Sequence, residues 1–139
     1  MLFNDARSTK ALTALLVAYA AASLFHYSHN AEFLAEYPNM PASLSRAKIY
    51  AAWLGGTAVG ALGYLLLRAG RRLAGLALLA VYAALGFDGF AHYGLAPASA
   101  HTAAMNASIW LEAATAALVL AAVASLVTRY WRIRKSCPP

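Results

Sequence analysis

The stretch Ala11-Leu12-Thr13-Ala14-Leu15-Leu16-Val17-Ala18-Tyr19 runs on through Ala20-Ala21-Ala22-Ser23-Leu24-Phe25 and stops at His26-Tyr27-Ser28-His29. Its length decides the fold. A helix that crosses a bilayer needs roughly 20 mostly apolar residues, and residues 11–29 supply them. Arg7 and Lys10 ahead of the run, with Ala18-Tyr19-Ala20 inside it, also fit a signal peptide and its cleavage site. A retained membrane helix is the expectation adopted here.

Three further apolar runs follow, at about residues 47–67, 73–93 and 101–127. The 139-residue chain is 62% hydrophobic and 12% charged, with a mean hydropathy of +0.57. A soluble domain of this length does not carry so much apolar sequence. The expected fold is all-α and integral to the membrane: one domain over residues 1–139, an up-down four-helix bundle. A small interfacial cap over residues 30–45 closes its outer end. Pro41-Ala42-Ser43 reads as the start of the second helix, and Ser99 as the cap of the fourth.

The second run carries Gly55, Gly56, Gly60 and Gly63. Gly56 and Gly60 have the GxxxG spacing that lets membrane helices approach closely, so this helix is expected to pack most tightly.

The net charge is +6, yet the basic residues gather at helix ends with no stripe suited to nucleic acid. Arg7, Lys10, Arg68, Arg71, Arg72, Arg129, Arg132, Arg134 and Lys135 fall on one side, against Arg46 and Lys48 on the other. The positive-inside rule then predicts both termini in the cytoplasm, in a bacterial inner membrane, with the opposite end toward the periplasm. Tyr27, Tyr37, Tyr50 and Tyr93 fit an outer aromatic belt.

The sequence has four histidines, and His26, His29, His92 and His101 all fall at that outer end. Asp88 and His92 are spaced i, i+4 on one run and share a face if the helix is regular. His26 and His29 are spaced i, i+3. Imidazole and carboxylate ligands so grouped would hold a metal ion, with copper, zinc or iron the candidates. Histidines at helix ends also sit among headgroups, bonded to water or phosphate, with no metal at all.

Asp88-x-x-x-His92 followed by His101 resembles the Asp/His/His copper site in the C subunit of membrane copper monooxygenases. The likeness covers these three residues. The connection is shorter here and the helices are fewer. It implies copper as the metal and assigns no family.

Glu112 carries a different expectation. It lies 11 residues past His101, hence about 16 Å deeper, and too deep to share that metal. His101, Met105, Ser108 and Glu112 form a polar stripe on the fourth helix, with Thr57 at similar depth on the second and Tyr19 somewhat nearer the surface on the first. A buried carboxylate costs about 2.5–3.5 kcal/mol to insert, so it has a partner or a task. The stripe would line a cavity for a lipid-like ligand, relay protons, or fix helix register with no further purpose. Glu32 and Glu36 are expected to pair with Arg46 and Lys48, Glu32 alternatively reaching His29. Cys137 reads as an idle thiol or a palmitoylation site. The functional expectations are therefore a metal-binding membrane protein, a cavity or proton-relay protein, and a structural accessory subunit. In each the partners are lipid and a homo-oligomer or larger membrane assembly.

Overall fold

The computed structural model describes residues 6–136, with side chains from residue 9 onward. The side chain of Arg7 and the readings made for Cys137 lie outside that range. Regular structure among the described residues is helical throughout: α1 (Ala6–Glu32), α2 (Arg46–Arg68), α3 (Arg72–Leu85), α4 (His92–Leu95) and α5 (Ala103–Ser136). Short 3-10 turns occupy Leu34–Glu36, Asp88–Ala91 and Ala98–Ala100. Four stretches are long and apolar enough to cross a membrane: Thr9–Glu32, Arg46–Arg68, Arg72–Leu95 and Ala103–Ser136. The expected four-helix bundle is present, with α2 packed mainly on α3 and α1 mainly on α5.

The turn at the basic end is set by Gly70, at φ +81°. Its N–H donates to Leu67 O at 3.2 Å and the Arg71 N–H to Leu66 O at 2.9 Å. This is a Schellman closure, which satisfies the last carbonyls of α2 and sends the chain straight into α3. Close approach of these two helices uses small residues, at a different spacing from the expected pair. A side chain at Gly63 would meet Leu79 N at 3.0 Å, and one at Gly75 would meet Leu67 N at 2.6 Å. Gly60 lies against the Tyr82 ring, whereas Gly56 touches only Leu85 and Gly55 faces open space. The contact is therefore Gly60–Gly63–Gly75, and α2 as a whole is the least buried of the four spans. Leu12, Leu67, Leu76, Leu79, Val119, Val123 and Leu126 fill the bundle core.

Two helix starts differ from expectation. Ser45, not the Pro41-Ala42-Ser43 segment, caps α2 by accepting from the Lys48 N–H at 3.4 Å. Thr102, not Ser99, caps α5, its Oγ1 accepting from the Met105 N–H at 3.2 Å. In both cases a hydroxyl satisfies a donor of the first turn. His101 consequently stands before α5 in extended backbone.

The third span is not one regular helix. The Tyr19 hydroxyl donates to Tyr82 O at 3.0 Å, the carbonyl that a continuing α-helix would offer to the Gly86 N–H. The Gly86 N–H turns instead to Ala83 O at 3.1 Å, and Phe87 N–H to Ala84 O at 3.2 Å. α3 ends there, the chain tightens into 3-10 geometry over Asp88–Ala91, and α4 resumes at His92. A side chain entering the backbone ladder is a recognised origin of such breaks.

Candidate functional site

His26 lies six residues before the end of α1, about 9 Å below it, and is 2% exposed. Its Nδ1 is 3.1 Å from Ser108 Oγ, and the Ser108 hydroxyl donates to Met105 O at 2.8 Å. With that proton committed, Ser108 accepts from His26 Nδ1–H. A neutral His26 then presents its Nε2 lone pair to Glu112, whose Oε2 is 3.7 Å away. Two acceptors facing each other need a proton between them, so the pair is coupled. Glu112 is 1% exposed. Its predicted isolation from the histidines is corrected: α1 carries His26 down to its level.

His92, 6% exposed, opens α4. The Asn30 amide lies 3.2 Å from its Nε2 and donates to it. His92 Nδ1 and Asn30 Oδ1 have no partner among the described residues. His101 Nδ1 donates to Pro97 O at 3.1 Å, leaving Nε2 buried and without a partner. The His26 and His92 rings are 5.7 Å apart, and those of His92 and His101 6.1 Å. Tyr37 from the cap closes this row, 4.8 Å from the His92 ring. Burial pushes the Tyr37 hydroxyl above its ordinary pKa, and it bonds His29 Nδ1 at 2.9 Å.

The five expected metal ligands thus divide. His26, His92 and His101 form a row, His29 attaches to it only through Tyr37, and Asp88 stands apart. Tyr27 donates to Asp88 Oδ2 at 2.6 Å, and Asp88 is exposed while His92 is buried. The shared face assumed for Asp88 and His92 required a regular α-helix. In 3-10 geometry, with three residues per turn, residues four apart sit about 120° around the axis from each other. Among the described residues no group of three or more His, Cys, Asp or Glu side chains is placed to hold a metal ion. Glu32 pairs with Arg46 at 2.6 Å, as expected, and accepts from the Tyr50 hydroxyl at 2.8 Å. Lys48 bonds Ser43 O at 2.6 Å instead of a carboxylate.

Two cavities adjoin the row. The outer one, about 310 Å³, lies between α1, α2, the cap and the third span. His26, Tyr27, Asn30, Asp88 and His92 form its polar side; Met40, Pro41, Leu44, Ile49, Ala52 and Leu95 form the apolar side, interrupted by Lys48, whose ammonium is bonded to Ser43 O. The inner one, about 10 Å³, is lined by Tyr19, Thr57, Tyr82, Trp53 and Glu112 among others, close to the space that one water needs. Trp53 Nε1, Thr57 Oγ1, Tyr82 OH and both Glu112 oxygens are buried there and close no well-formed hydrogen bond among the described residues. Thr57 and Glu112, expected at similar depth, line this space together with Tyr19, expected somewhat nearer the surface, while Ser108 turns to His26.

Sequence reasoning overlooked Asn30 and Tyr37. Asn30 was detectable, since Tyr19, Ser23, His26 and Asn30 continue one face of α1. Tyr37 carried no such signal, because it follows the helix and reaches the row only through the fold of the cap. No protein-family model matches this chain, and no curated protein or solved structure does either.

Proposed function

We propose that this chain is an integral membrane protein that binds an amphiphilic, lipid-like ligand in the outer cavity. The observation that carries the reading is the division of the cavity wall. A hydrogen-bonding head fits against Asp88, Tyr27, His26 and His92, and an apolar body against Leu44, Ile49 and Ala52. The volume of about 310 Å³ falls at the lower end of small-molecule sites, which begin near roughly 300 Å³. Asp88, an exposed carboxylate already accepting from Tyr27, favours a head that donates hydrogen bonds, such as an amine or alcohol.

The test is native mass spectrometry of the full chain released from nanodiscs containing dodecylamine, dodecanol or laurate. One saturable equivalent of the amine or alcohol is expected, reduced at least about tenfold by Ala52→Trp, which fills the cavity; tenfold corresponds to about 1.4 kcal/mol. Failure of all three amphiphiles to bind, or wild-type binding by the blocked variant, sinks the reading.

A bound copper, zinc or iron ion is the second reading. It is supported by buried ligand-type atoms that close no well-formed hydrogen bond, His101 Nε2 and both Glu112 oxygens. It requires His26, His92 and Glu112 or Asp88 to turn toward a common point. Metal analysis of the purified protein decides it, and absence of stoichiometric metal from protein purified without chelators ends it.

The distribution of basic residues supports placing both termini on the cytoplasmic side of a bacterial inner membrane, with the histidine row toward the periplasm. The lightly buried α2, with Gly55 facing open space, supports association with a second copy or a larger membrane assembly.

A further inference from the structure

At the opposite end of the bundle, α1 and α2 enclose a second membrane-level groove of about 230 Å³. Its α1 wall is Thr13, Leu16, Val17 and Ala20, and its α2 wall Thr57, Gly60, Ala61 and Tyr64, with the Tyr82 ring as the floor. Each wall spans eight residues, about 10 Å of helix from first to last. One leaflet of hydrocarbon is about 15 Å deep, half of a core of about 30 Å. The groove therefore matches most of one acyl chain's depth.

The groove closes at a polar gate toward the basic end. Thr13 Oγ1 and Tyr64 OH are 3.2 Å apart, which fixes the two antiparallel helices at one level. Lys10 precedes Thr13 by three residues and Arg68 follows Tyr64 by four. Both continue the groove-lining faces of their helices, and both are exposed. They flank the end of the groove from its two walls. Arg68 is already oriented there: one guanidinium N–H donates to Tyr64 OH at 3.4 Å, and its carbon lies 6.0 Å from the Tyr64 ring centroid. The remaining donors of a guanidinium suit a phosphate, which it can grip with two parallel bonds.

We propose that this groove binds one anionic phospholipid, with an acyl chain between α1 and α2 and the phosphate between Lys10 and Arg68. Two cations at the mouth of an apolar slot select an anionic head over a zwitterionic one, whose own ammonium they repel. The site is separate from the outer cavity, so either can fail without the other.

The experiment uses the full chain in nanodiscs of mixed phosphatidylcholine and phosphatidylglycerol, with retained lipid counted by native mass spectrometry. One phosphatidylglycerol is expected to stay bound in preference to phosphatidylcholine. Retention is expected to fall at least about tenfold in the Lys10→Gln/Arg68→Gln double variant, and equally in Ala61→Phe, which fills the groove. Val17→Trp blocks it from the other wall if Ala61→Phe does not fold. Arg129→Gln/Arg132→Gln removes the same charge elsewhere at the basic end and should leave retention unchanged. Equal retention of both lipids, loss in the control variant equal to that in the double variant, or retention in a folded groove-blocked protein overturns the proposal. Displacement of the lipid by inorganic phosphate alone would also overturn it, by assigning the cations to a free anion.

Discussion

The third span and α5 both carry hydroxyls bonded to helix carbonyls, yet one breaks and the other runs unbroken over 34 residues. In α5 the bonds are local: Thr115 to Leu111 O at 2.9 Å, Ser125 to Ala121 O at 2.8 Å, and Ser108 to Met105 O at 2.8 Å. Each shares a carbonyl of its own helix and leaves the ladder in place. In the third span the hydroxyl comes from another helix, where Tyr19 meets Tyr82 O, and Gly86 packs beneath it. A side chain on Gly86 would fall 2.6 Å from Ala116 Cβ and 2.7 Å from the Tyr19 hydroxyl. A tertiary contact interrupts a membrane helix where a local one does not. The interruption matters because it turns Asp88 toward the cavity and His92 into the row.

Gly86→Ala attacks this arrangement most directly. The new methyl has no room between Tyr19 and Ala116, and overpacking of this kind costs about 1–3 kcal/mol. Unfolding in detergent, followed by circular dichroism, should show a marked loss of stability. A neutral result would mean that the close packing at Gly86 does not hold the break.

How much of this could be read from the chain follows from the same contrast. The four spans, the stripe of Met105, Ser108 and Glu112, and the Glu32–Arg46 pair were legible because hydropathy and helical periodicity are local properties. Met105, Ser108 and Glu112 are indeed all buried on one face. The Asp88–His92 pairing misled because it carried that periodicity beyond the break at Gly86 into the 3-10 turn of Asp88–Ala91, and the break is set by Tyr19, 67 positions before Gly86. Glu112 was assigned the right burial and the wrong neighbour: depth was measured along α5 alone, while His26 descends on α1. The caps shifted by two or three residues because several hydroxyls compete near each helix start and only tertiary packing selects among them.

Tyr19→Phe sharpens the comparison with a smaller effect. It removes the hydroxyl and keeps the ring, so Tyr82 O loses that donor while the packing on Gly86 remains. Membrane hydrogen bonds average about 0.6 kcal/mol, with a maximum near 1.7, and a loss in that range is expected from the same unfolding measurement. Hydrogen exchange supplies a second readout. Released from competition, Tyr82 O becomes available to the Gly86 N–H, and protection at Gly86 and Phe87 should rise. If protection there is unchanged, the hydroxyl fills a break that packing alone creates.

The smallest effect belongs to the local bonds of α5. Thr115 Oγ1 is 2.9 Å from both Leu111 O and Glu112 O, but both are carbonyls of its own helix. Thr115→Ala removes the hydroxyl, leaves those carbonyls to their backbone donors, and trades a β-branched residue for the best helix former. The opposing terms should leave stability within about 0.5 kcal/mol of the wild type. Exchange protection along α5 should also stay level, and Glu112 should keep its place beside His26. A loss as large as that from Tyr19→Phe would erase the distinction between local and tertiary hydroxyls, and the break at Gly86 would then need a cause within the third span itself.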